Sequence, residues 1–118
     1  MIPFTAPQNT DLLLSEAQKE MLYTKLVEQL NKDFTLANEP LDFDADASPI
    51  RLKLGLQDKI YRLIQHKFAE YLNLLYIIDV PEKEIKSLDG SDIGELSEQV
   101  AFLVLKREWQ KVWFRNRY

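Results

Sequence analysis

Apolar residues recur four apart through most of this chain, and that spacing restricts what it can fold into. Leu22, Leu26, Leu30 and Phe34 form one such row, with Tyr23 and Val27 beside it. Ile60, Ile64, Phe68, Leu72, Leu75 and Ile78 form a second. Ile93, Leu96, Val100, Leu103 and Val104 form a third. Recurrence at three and four residues places side chains on one face of an α-helix, whereas a half-buried strand alternates every second residue. Only Ile50, Leu52, Leu54 and Leu56 alternate, and no second strand is there to pair with them. The expected fold class is therefore all-α: an antiparallel bundle of three long helices and one short one, in a single domain over residues 1–118.

Helix ends follow from capping chemistry. Residues 1–11 hold Pro3, Pro7, Asn9 and Thr10 and read as an irregular arm. Ser15 with Gln18 three residues on resembles a capping box, which predicts a first helix over 15–36. Residues 38–48 form an acidic connector with Glu39, Pro40, Asp42, Asp44 and Asp46. Ser48-Pro49 is a restart signal, an N-cap followed by proline at the first helical position. It predicts a helix over 49–78, with Gly55 as its weak point and a separate element over 49–54 as the alternative. Asp79, Pro81 and Glu82 predict a short helix over 80–88 that Gly90 ends, and Ser91 or Asp92 caps a last helix over 92–116. The expected core includes Leu26, Leu30, Ile64, Phe68, Leu72, Leu75, Val100 and Leu103.

Composition excludes several chemistries. With no Cys and one His in 118 residues, a disulfide scaffold, a thiol nucleophile and a multi-histidine metal site are ruled out. Asp42, Asp44 and Asp46 start like a calcium-binding loop, but Ala47 stands where its turn needs Gly and Lys53 where a bidentate Glu is required. His66 lies among Arg62, Glu70 and Asn73 on the polar side of its helix, which is a solvent-facing ladder rather than a ligand set. No Gly-rich phosphate loop and no Gly-x-Ser-x-Gly elbow occur. No catalytic, cofactor or metal residue is assigned, and no cofactor is expected. The N-terminus has no basic stretch followed by a long apolar run, so a cytoplasmic location is expected.

Two features of the last helix bear on partners. Phe102, Leu105, Trp109, Val112 and Trp113 form a second apolar face, nearly opposite the first. Either the helix is central and covered on both sides, or this face lines a ligand groove, or it meets another chain, making the five residues a candidate homodimer interface. The net charge is −4, yet residues 106–118 hold five cations against one carboxylate. Lys106, Lys111, Arg115 and Arg117 are thus a candidate basic contact patch, unless they face the acidic connector or simply complement the negative end of the helix dipole.

The segment Lys111-Val112-Trp113-Phe114-Arg115-Asn116-Arg117 resembles the recognition helix of homeodomains. The resemblance implies Asn116 as a reader of adenine, with Trp113 and Phe114 packed inward. It covers seven residues, Pro81 falls where that family's first helix runs, and the chain is acidic, so a chance match and no specific nucleic-acid binding are expected. The leading expectation is a small non-enzymatic helical protein acting through protein contacts, as an oligomer or adaptor. The alternative is a nucleic-acid-binding regulator using residues 106–118.

Overall fold

The structure, a computed structural model, describes residues 3–117, which form helices joined by turns and loops with no strand among them. The four expected helices become six: α1 (Thr10–Lys19), α2 (Tyr23–Leu36), α3 (Pro49–His66), α4 (Phe68–Ile78), α5 (Glu82–Lys86) and α6 (Ile93–Arg117). The radius of gyration, 13.5 Å, is that of a close-packed chain of this length.

The first helix expected over 15–36 is two. Asn9, not Ser15, is the N-cap: its side chain accepts the Leu12 N–H at 2.9 Å, so α1 takes in residues 10 and 11 of the expected arm and residues 12–14 after it. The helix then stops at Met21, whose φ of 59° is left-handed. Met21 N–H donates to the Gln18 carbonyl and Leu22 N–H to the Ala17 carbonyl, the paired bonds of a Schellman turn. The same two bonds recur at Asn38 after α2 and at Asp79 after α4, with φ of 61° and 67°. No glycine among the described residues has positive φ, so all three stops use residues with a Cβ.

The helix expected over 49–78 starts as its cap predicts, with Ser48 Oγ accepting the Arg51 N–H at 3.3 Å. It breaks at Lys67, where φ −143° and ψ 61° leave the helical region. Gly55 is not the weak point: it lies inside α3, and a Cβ there would come within 2.8 Å of the Phe43 ring, so its bare Cα makes room for the connector. Asn31 holds Phe43 in place by pairing with both its backbone N–H and carbonyl, at 3.1 and 2.8 Å. Buried Glu39 takes Lys59 at 3.1 Å and Lys67 at 3.0 Å, tying the end of α2 to α3 and to the break.

The core corrects the expected list in two places. Leu26, Leu30, Leu75, Val100 and Leu103 are buried, and Ile64 partly so. Phe68 and Leu72, however, are 55% and 50% exposed. Residues 49–78 carry two overlapping rows. The fold buries Leu56, Ile60, Leu63, Tyr71, Leu74 and Ile78 and turns the row through Phe68 and Leu72 outward.

Candidate functional site

α6 is the central helix. It packs against α1, α2, α3 and α4. The expected interface residues Leu105, Trp109, Val112 and Trp113 are therefore core, at 0–6% exposure, and Phe102 is half-buried. Their cover comes from the chain itself. Trp109 Nε1 donates to Glu16 of α1 at 3.1 Å, and Phe4 of the N-terminal segment meets the Trp113 ring edge-on at 5.5 Å. No stripe through these five residues remains for another chain.

The expected basic patch is likewise engaged within the chain. Lys106 pairs with Glu84 of α5 at 2.6 Å, and Arg115 donates to Gln29 at 2.9 Å. Arg117 pairs with Glu20 and lies over the Trp113 ring, 4.5 Å from its centroid. The carboxylates that hold these cations come from α2, α5, α6 itself and Glu20 at the end of α1, not from the connector, whose Asp42, Asp44 and Asp46 stay exposed. Asn116, the residue implied to read a base, donates to the Val112 carbonyl and accepts from Lys25.

Lys111 has the most unusual surroundings. Its Nζ lies 2.9 Å from both Asp33 of α2 and Glu108 of its own helix. Asp33 is 5% exposed and Glu108 fully buried. Gln29 donates to Asp33 at 3.1 Å, extending the group to Arg115 at the surface. Neither Glu108 oxygen receives a well-aligned hydrogen bond, so two carboxyls share one ammonium. Burial, and then the neighbouring Asp33, push the Glu108 carboxyl up to about 8, against the pull of Lys111. Burial also acts to raise Asp33, but the polar groups of Glu108, Lys111 and Gln29 around it, with the Lys111 charge, outweigh it and hold it below the usual range. With Glu108 pushed up and Asp33 held down, the pair favours a proton on Glu108 near neutrality, which leaves one negative charge facing Lys111.

Two grooves open beside these features. One of about 310 Å³ lies between α2 and α6, where the charged side chains of Lys25, Glu28, Lys32 and Arg115 surround Val112. The other, about 380 Å³, lies between α4 and α5, with Leu72, Leu75, Tyr76, Val80, Pro81 and Ile85 on its walls and Asp79 and Glu82 on its rim. This second groove continues into the outward row of α4. Phe68, Leu72 and Tyr76 stand four apart and are 55%, 50% and 83% exposed. The other exposed residues on that side, Ala69 and Asn73, are uncharged, and Glu70 is the one charged residue in α4. An exposed helix face ordinarily carries charge, so this face is the candidate site.

Residue spacing alone missed it because Phe68 and Leu72 read as core. Tyr76, the next member of the same row, is the signal that the row continues past what one core needs. Among the described residues no three acidic or histidine side chains converge to hold a metal, and no helix is long and apolar enough to cross a membrane. Comparison with protein-family models, with curated proteins and with solved structures found no match.

Proposed function

We propose that this is a non-enzymatic helical protein that acts through protein contacts, as an oligomer or adaptor, and that the α4 face is where contact is made. The observation that carries the reading is the uncharged, exposed row Phe68, Leu72 and Tyr76 beside an apolar groove. With aromatic side chains at roughly 150–250 Å² each, the three residues leave roughly 400 Å² of surface, most of it apolar, in water. That is the size of the largest patch on an ordinary monomer, and such patches are often functional.

Two further facts favour contact over catalysis or nucleic-acid binding. The two carboxyls that share Lys111, Asp33 and Glu108, are buried and out of reach of a substrate. Lys106, Lys111, Arg115 and Arg117 are bonded to the chain's own side chains, so binding phosphates would cost those bonds. The test is a photo-crosslinking residue placed at Tyr76 in cells that make the protein. Discrete protein adducts at position 76, absent when the crosslinker sits at exposed Leu54 of α3, are the expected result. Identical adduct patterns from both positions, or none from 76, remove the α4 face as a contact site.

A further inference from the structure

We infer that the occupant of the α4–α5 groove is an amphipathic helix of a different protein, apolar along one face and flanked by Lys or Arg. This rests on the reading of α4 as a contact face and names what sits there. The backbone of α4 is hydrogen-bonded within its own helix, and no described strand offers an edge, so recognition falls to side chains. Phe68, Leu72 and Tyr76 form a ridge four residues apart, and ridges of this kind pack into the grooves of another helix. Leu72, Leu75, Val80 and Ile85 supply the hollow beside the ridge for an apolar anchor.

Charge selects the flanks. Asp79 and Glu82 are the charged residues on the groove wall, and no cation lines it. Asp79 pairs with Arg107 at 3.2 Å and Glu82 with Lys86 at 2.9 Å, yet both carboxylate side chains stay about four-fifths exposed. They retain open sides for a partner's cations, and the net charge of −4 draws such a partner in. A second copy of this chain fits less well. The open patch is about half of the roughly 800 Å² per partner in a standard stable interface. Each copy would also bring its own rim carboxylates, and the chain's cations on α6 are already committed.

The experiment is fluorescence anisotropy of the full chain with labelled helical peptides of about four turns. One carries a Leu row with Lys on the flanks, the second replaces each Lys by Glu, and the third replaces each Leu by Ser. The expected result is saturable binding of the Lys peptide alone. That affinity should fall about tenfold in Leu72→Gln or Tyr76→Ala. It should fall severalfold, with a weaker salt dependence, in Asp79→Asn with Glu82→Gln, and stay unchanged in Leu54→Gln. Equal binding of the Lys and Glu peptides, or indifference to Leu72 and Tyr76, overturns the inference. A wild-type dimer in sedimentation that Leu72→Gln dissociates also overturns it, because the occupant is then a second copy, while the contact reading stands. Binding to vesicles of phosphatidylcholine and phosphatidylserine that depends on Phe68 and Tyr76 overturns both. A monomer that binds neither peptide nor vesicle overturns both as well.

Discussion

Helices α4 and α6 are both apolar on more than one side, and the fold treats them in opposite ways. α6 is enclosed: α1 to α4 and the N-terminal segment cover Val100 and Leu103 on one side and Leu105, Trp109 and Val112 on the other. α4 is at the edge: Tyr71, Leu74 and Ile78 face inward, while Phe68, Leu72 and Tyr76 meet water. A second apolar face therefore does not by itself announce a partner. What matters is whether the chain has other elements left to cover it, and here the central position is taken by α6.

The strongest test of this contrast is a truncation in α6. Trp109→Ala should cost about 3–5 kcal/mol, because it empties a fully buried site and leaves Glu16 without its indole donor. Thermal or denaturant unfolding measures it. A loss below about 1 kcal/mol would mean that the second face of α6 is loosely packed.

The next effect tests the buried polar end of α6. Glu108 is held at about 8 when folded, against an ordinary value of 4.5. Between those values the folded chain binds more protons than the unfolded one, so its contribution to stability is full below 4.5 and is lost as pH rises through 8. At about 1.4 kcal/mol per unit, the loss between about pH 5 and about pH 9 is several kcal/mol. Glu108→Gln mimics the protonated acid. It should match the wild type near pH 5 and exceed it near pH 9 in melting temperature. Parallel pH profiles for the two proteins would show that Glu108 is ionised throughout. Asp33 and Glu39, both held below the usual carboxylate range, act in the opposite direction and lose their contribution as pH falls into the acid range.

A smaller effect is expected at the first helix stop. Met21 has a left-handed backbone and is 90% exposed, so its side chain contributes little packing. Met21→Gly should stabilise the protein by about 1 kcal/mol, because glycine takes that conformation without a Cβ penalty. A destabilised Met21→Gly variant in chemical denaturation would count against the turn.

The smallest effect belongs to the open face. Leu72→Gln should change stability by about 0.5 kcal/mol or less, since the residue is half in water already. A cost of about 2 kcal/mol or more in the isolated protein would mean that α4 is covered, and the contrast with α6 would collapse.

How much of this was legible beforehand can be judged residue by residue. Ser48-Pro49 announced α3 correctly because both halves of its start signal are local. Asp92 did the same for α6, accepting the Glu95 N–H at 3.0 Å. The breaks at Met21 and Lys67 were illegible, because neither residue type favours the backbone it adopts and tertiary packing imposes both. The choice between the rows 63–71–74–78 and 64–68–72–76 was also beyond local reading. Both are apolar, and only the placement of α6 decides which one turns inward. The Asp33–Glu108–Lys111 group escaped notice because Asp33 and Lys111 are far apart in the chain, and a lone Glu among the cations of 106–117 reads as surface.

The central place of α6 also governs when the protein can acquire its fold during synthesis. Translation delivers α1 to α5 first, yet the apolar faces of α1 to α4 converge on a helix spanning residues 93–117. Pairings such as Glu16 with Trp109 and Glu20 with Arg117 join positions more than ninety residues apart. Until α6 leaves the ribosome, Leu13, Leu26 and Leu74 have no central partner, and the nascent chain must keep them from sticking elsewhere. Closure then comes late and all at once, so a ribosome stalled before residue 100 would hold a chain without a core.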